Sequence, residues 1–257
     1  ECPNAGQITA ARDYIFRNSN KLITRTADSE LGFGKLDYRL NDKHSLSMSV
    51  NYLRWVSPNG IQTQAVLTNN NAASNNANST VRTRYGRAAL TSIVSNSMVN
   101  EIRYGWFKDR LFDDLSNDLI PAQTGRLGIS VGGSPVGTAI DYPRLNPSEQ
   151  RHQIADTLSW TIQKHTLKLG FDFVTTQDYL AILRNEFGSY SYAGFNEFAL
   201  DFTGNTTNAR RYQNFTQTFG NKILDFTTKD YSFFVQDQWR ATSKLTVNAG
   251  LRYEYSQ

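Results

Sequence analysis

Cysteine is nearly missing from this chain: Cys2 is the only one, so no intrachain disulfide can close and no thiolate metal site can be assembled. Histidine is almost as scarce. His44, His152 and His165 stand in or beside polar segments without metal-ligand spacing and read as solvated side chains. Charge is thin at 19% of residues, and the 27 Lys and Arg are scattered singly among 23 Asp and Glu, which gives nucleic-acid binding no support. No run of about 18 apolar residues occurs, and the mean hydropathy of -0.51 excludes a transmembrane helix. It leaves a membrane β-barrel open, because barrel strands are apolar on one face only. The chain has no GxSxG, HExxH, P-loop or CxxC motif, so neither enzymatic activity nor a cofactor is expected. Its first residues, ECPNAGQITA, have no basic or apolar signal-peptide region, as in a mature product or a piece of a longer chain.

What the sequence does have is period-two alternation, arranged in pairs. In KLDYRL, Leu36, Tyr38 and Leu40 oppose Lys35, Asp37 and Arg39; after a polar turn, SLSMSVNY sets Leu46, Met48, Val50 and Tyr52 against Ser45, Ser47, Ser49 and Asn51. Such a pair is a hairpin of strands with one oily and one polar face. The unit recurs in TRYGRAALTSIV with MVNEIRYGWF, in QIADTLSWTI with TLKLGFDF, and in YSFFVQDQWR with LTVNAGLRYEY. Eight long antiparallel strands are expected.

The connections between hairpins, roughly residues 56–79, 110–149 and 181–228, far exceed the usual loop of about 4 to 6 residues. They contain an Asn-rich stretch at 69–80, VGGSPVG at 131–137, and Pro121, Pro135, Pro143 and Pro147 in the second; no regular strand is expected to survive those prolines. Short turns and long loops that strictly alternate match an outer-membrane barrel, whose turns are short on the periplasmic side and long outside. A ten-residue strand tilted near 45° rises about 23 Å, close to the apolar band of about 25 Å. Trp160 and Trp239 fall near short turns, and Trp55 and Trp106 near the far strand ends. With Tyr253, Trp106, Trp160 and Trp239 form a candidate membrane girdle. Trp55 has the opposite parity to Tyr52 and faces the lumen unless a bulge intervenes, while Asp156 and Asp237 fall on the lipid parity.

The hairpin KDYSFFVQDQWRATSKLTVNAGLRYEY resembles a strand pair of TonB-dependent outer-membrane receptors, and LGFGKLDYRLNDKHSLSMSVNY and HQIADTLSWTIQKHTLKLGFDF are similar to further barrel hairpins of the Oar-like branch, often preceded by a carboxypeptidase-regulatory-like domain. The likeness implies an all-β antiparallel barrel of about 22 strands, plugged by a globular domain and energised through TonB. Residues 33–257 would then be a partial barrel without its plug, and residues 1–32 a leading loop or linker for which an extracellular position is open. The implied function is uptake of a bulky nutrient, with outer-membrane lipid, the plug, the TonB system and an unknown extracellular ligand as partners. A passive porin, a small structural or adhesive barrel, and a soluble carbohydrate-binding β-sandwich are the alternatives.

Ligand capture is expected in the third long connection, where Tyr190, Tyr192 and Phe195 offer rigid aromatic contact area and Arg184, Arg210 and Arg211, with Tyr212, offer charge-assisted hydrogen bonds. The acidic group Asp109, Asp113, Asp114 and Asp118 reads as a solvated loop before it reads as an ion site.

Overall fold

The computed structural model describes residues 1–60, 72–205 and 207–257; residues 61–71 of the first long connection lie outside it. Eight strands make one antiparallel sheet in which neighbours in sequence are neighbours in space. They are β1 (Asp28–Arg39), β2 (His44–Ser57), β3 (Ala77–Ser95), β4 (Met98–Leu115), then β7 (Arg144–Ile162), β8 (His165–Ala181), β11 (Ile223–Arg240) and β12 (Thr246–Ser256). The four hairpins are those the alternation predicts. The strands run well past it, to 19 residues in β3 and β7. Residue 147 falls inside β7 despite being proline; the register of β7 on β8 shifts there, between Leu145 and Ser148. A bulge of this kind takes in a residue that cannot donate to the ladder.

Residues directly opposed in antiparallel strands share a face, so the register can be followed across the whole sheet. One row reads Leu36, Met48, Ala88, Tyr104, Ile154, Phe173, Tyr231, Tyr255. The row next to it on the opposite face reads Asp37, Ser47, Ala89, Arg103, Ala155, Asp172, Ser232, Glu254. Lys168, Asn248 and Arg252 share the polar face; Leu167, Leu169, Phe171, Leu245, Val247 and Leu251 have the apolar parity. The register of β2 is unbroken on both sides, so no bulge rescues Trp55, which lies on the polar parity.

Burial inverts the rule for a water-soluble sheet. Each buried residue described in these eight strands, Ser57, Ala77, Ser79, Asp113, Leu115, Ala155 and Ser232, lies on the polar parity. The apolar parity is the open one: Leu251 is 73% exposed and Val50 62%. A β-sandwich would press its apolar faces together, whereas among the described residues the apolar face meets no second sheet. The short turns are staggered: His44, at the start of β2, shares a row with Ser92, Asn100, Leu158, Leu169, Val235 and Leu251, although Asn100 is two residues past the start of β4 and Leu158 four before the end of β7.

The long connections build a separate cap. A four-stranded sheet ordered β10-β9-β5-β6 combines β5 (Gly128–Val131) and β6 (Ser134–Pro135) from the second connection with β9 (Ser189–Tyr192) and β10 (Asn214–Thr216) from the third. Two helices, α1 (Ala5–Ser19) and α2 (Phe195–Phe202), complete it. Residues 1–32, expected as a loop or linker, therefore hold a helix, and β1 starts at Asp28. Helix α1 opens on a capping box in which the Asn4 side chain accepts from the Gln7 backbone and Gln7 reaches back, a local start signal. Its Tyr14 stacks obliquely on Phe202 at 4.8 Å and exchanges a 2.9 Å hydrogen bond with Thr124. Ala11, Tyr14, Ile129, Val136, Tyr192, Phe198 and Ala199 form the cap's buried core.

Candidate functional site

Three tiers can be read from the turns towards the cap. Next to the short turns the apolar face carries Trp160 and Trp239, the latter stacked on His165 at 5.7 Å. The histidine Nδ1 lies 2.6 Å from Asp237 Oδ2, and Asp237 Oδ1 is buried without a hydrogen-bond partner among the described residues. His44 Nδ1 lies 2.9 Å from Ser92 Oγ. The histidines of this face thus hydrogen-bond to neighbouring strands, and among the described residues no group of three metal-ligating side chains occurs.

The middle tier is apolar outside and polar inside. On the inner side Gln153 donates to both Asp172 oxygens at 2.8 and 3.0 Å, and Arg252 donates to Ser232 at 2.9 Å. Tyr253 sits level in register with Phe233, two residues along from the Tyr231–Tyr255 pair on the same face. Trp106 lies further up, opposite Gly86, where a Cβ would meet the ring at an ordinary contact distance of 3.8 Å. All four girdle candidates share the apolar parity.

Near the cap the two faces exchange character. The apolar parity turns cationic with Arg54, Arg82, Arg84, Lys108 and Arg110, while the polar parity turns aromatic and aliphatic with Leu53, Trp55, Tyr85, Phe107 and Leu111. Arg151 lies over the Phe107 ring at 5.2 Å. Period-two reading missed this inner surface, although the switch of parity within RWV and YGWFKDRLF was available as its signal. The acidic group divides between partners: Asp109 accepts from Thr83 at 2.7 Å, buried Asp113 from Ser79 and from Arg144 at 2.7 Å, and Asp114 from Arg126 at 3.2 Å.

The structure does not bring all the predicted ligand residues together. Tyr192 is core, 8% exposed; its hydroxyl donates to Asp201 at 2.9 Å, and burial, with the neighbouring Asp201 carboxylate, pushes its pKa above the ordinary tyrosine value. Phe195 begins α2 and packs against the same core. Tyr190 and Tyr212 also pack, partly buried, against the margin of that core, and Tyr190 lies 5.0 Å edge-on from Tyr212 and 4.6 Å from Phe215. Arg210 covers Tyr212 at 5.0 Å and donates to the Tyr212 carbonyl at 3.1 Å. Arg211 pairs with Glu1, and exposed Arg184 reaches Asp141 at 3.3 Å. Tyr190, Tyr212, Phe215 and Arg210 thus form one stacking surface with a cation beside it; Arg184 and Arg211 pair with carboxylates elsewhere.

A family described as outer membrane beta barrel domain matches residues 2–257. No curated protein matches the sequence. Among solved structures, 90% of the chain aligns with 30% of FpvA from P. aeruginosa bound to a heterologous pyoverdine and iron, at a TM-score of 0.56 and 12% identity. The FpvAI–pyocin S2 complex aligns over 90% of this chain and 31% of that one, at 0.53 and 13%. The chain spans about a third of the length of these proteins, and at such identity the likeness is one of fold.

Proposed function

Because the chain belongs to the outer membrane beta barrel domain family and lies in the cell outer membrane, we propose that it supplies barrel wall and capture loops to a TonB-dependent receptor of the Oar-like branch that takes up a bulky nutrient. The observation that carries the membrane part of this reading is the burial pattern, with large apolar side chains open on one face and the buried strand residues all on the other. A bilayer stabilises that pattern and water does not. The receptor part is supported by the cap. Its small sheet and helices have their own core and hold an aromatic surface with Arg210 at the end where the long connections gather. Both solved structures also hold a bulky guest, iron-loaded pyoverdine in one and pyocin S2 in the other.

On this reading, a plug and the TonB system act through the full-length protein, and the cap receives an extracellular ligand by stacking on Tyr190 and Tyr212 and by hydrogen bonds from Arg210. The wall encloses and orients, and carries no catalytic step. The experiment is single-channel recording of the full-length protein in a planar bilayer. A plugged receptor gives no standing conductance, whereas a steady open channel would replace this reading with the passive porin.

A further inference from the structure

The hydrogen-bonded row Glu30, Arg54, Arg82, Arg110 and the adjacent row Gly32, Tyr52, Arg84, Lys108 run side by side on the apolar parity of β1 to β4. Five cations are therefore gathered on the face that the bilayer covers lower down. Arg82, Arg84, Lys108 and Arg110 are exposed. Among the described residues the one ion pair in the group joins Arg54 to Glu30, at 2.8 Å; Arg110 lies over the Phe112 ring, at 5.8 Å. Cations this close together repel one another unless an anion sits between them.

Their height is set by the strands. Lys108 is ten residues past Met98, where β4 leaves its short turn. At about 3.3 Å per residue and a tilt of about 35° to 45° this places it about 23 to 27 Å above the turn, at the outer edge of an apolar band of about 25 Å. The Trp106 row lies just beneath. The exchange of polarity between the two faces begins at the same level, so the cations stand where acyl chains end and headgroups begin.

We propose that Arg54, Arg82, Arg84, Lys108 and Arg110 form an outward-facing seat for the phosphate groups of an outer-leaflet glycolipid. Guanidinium forks match phosphate oxygens in pairs, and an anchored lipid brings those oxygens to this depth with its chains already against Val50, Tyr104 and Trp106. A soluble anion would be held by the charges alone, without that apolar contact.

The test measures binding of diphosphoryl lipid A to the full-length protein in neutral detergent. The triple variant R82Q/R84Q/K108Q is expected to bind about tenfold more weakly or worse, with unchanged β circular dichroism and heat-modifiable migration. The conservative variant R82K/R84K retains most of the binding, which separates charge from folding, and Arg87→Gln on the polar face leaves it unchanged. Dephosphorylated lipid A binds the wild type no better than the triple variant does, and millimolar inorganic phosphate does not displace the lipid. Equal binding by wild type and triple variant, equal binding of the dephosphorylated lipid, or displacement by inorganic phosphate would each overturn the proposal.

Discussion

Asn100 donates a 2.7 Å hydrogen bond from Nδ2 to Asp156 Oδ1 across the β4–β7 pair, and both residues lie on the lipid parity. Asp156 shares its row with Ile102, Phe171 and Phe233, an apolar setting in which a lone carboxylate would be costly. The asparagine answers it from the neighbouring strand. Asn100→Leu should therefore destabilise the folded protein by about 2 kcal/mol, while the double variant N100L/D156L comes close to neutral. Urea unfolding in detergent, followed by tryptophan fluorescence, checks both values.

Depth on the outer face should be measurable by arginine substitution. Val235 lies five residues above the end of β11, within the band, so Val235→Arg should cost about 2 to 4 kcal/mol. Val247 reads from sequence alone as a midplane position, yet it pairs with Trp239 beside the turn, and an arginine there should cost about 0 to 1 kcal/mol. Gln236→Arg, on the polar face, is the control and should change little. Equal losses at Val235 and Gln236 would mean a sheet buried on both sides.

Gly170 is tightly enclosed on the inner face. A Cβ at this position would stand 2.4 Å from Phe234 Cε1 and 2.6 Å from the Asp156 carbonyl oxygen. The ring can rotate but the backbone oxygen cannot, so Gly170→Ala should destabilise by about 1 to 3 kcal/mol. Thermal migration shifts on unheated gels provide the readout.

The Tyr192 pKa is raised by burial and by Asp201, so its neutral form is the one the cap holds. The cap's stability from this group is whole below about pH 10, the unfolded value, and is lost as pH rises beyond it towards the raised folded value. Tyr14 and Tyr142 are also pushed up by burial, so tyrosinate absorbance should show several late-titrating phenols, one fewer of them in Tyr192→Phe. That variant should also lose about 1 kcal/mol of cap stability at pH 7 through the missing bond to Asp201. A titration unchanged by the substitution would remove Tyr192 from the assignment.

For ligand capture, deleting residues 188–212 would remove Tyr192, Phe198 and Ala199 from the cap core and so test folding. The pair Arg210→Ala and Tyr212→Ala keeps those three residues and removes only a partly buried ring at the core's margin. It should lower uptake of the cognate nutrient about tenfold or more with normal surface display. Normal uptake would move capture elsewhere, with the inner surface of Trp55, Tyr85 and Phe107 as the next place to substitute.

The hairpins were legible in the sequence because one face of each strand is selected for lipid and the other for water, which writes period two into Leu46 to Tyr52 or Leu167 to Phe173. Beyond the band that selection stops, so β3 and β4 continue unseen through Ala77 to Arg82 and Arg110 to Leu115. Helix α1 escaped notice because its surface is polar and its one strong local signal, Asn4 with Gln7, is short. The ligand candidates were chosen for aromatic content, which does not tell a buried core ring such as Tyr192 from a partly buried one at the core's margin such as Tyr212. Only the fold, through β9 and α2, separates them.

The stagger of the short turns fixes how the strands lean. Following the His44 row, the turn ends fall by about one residue per strand, which for strands about 4.8 Å apart and a rise of about 3.3 Å per residue is an inclination of about 35°. A hydrogen-bonded row is thus not a contour of constant depth but a slope, and depth has to be counted from each strand's own turn. Arg54 is ten residues beyond His44 and Lys108 ten beyond Met98. Cations from two different rows of the ladder therefore stand at one latitude of the barrel.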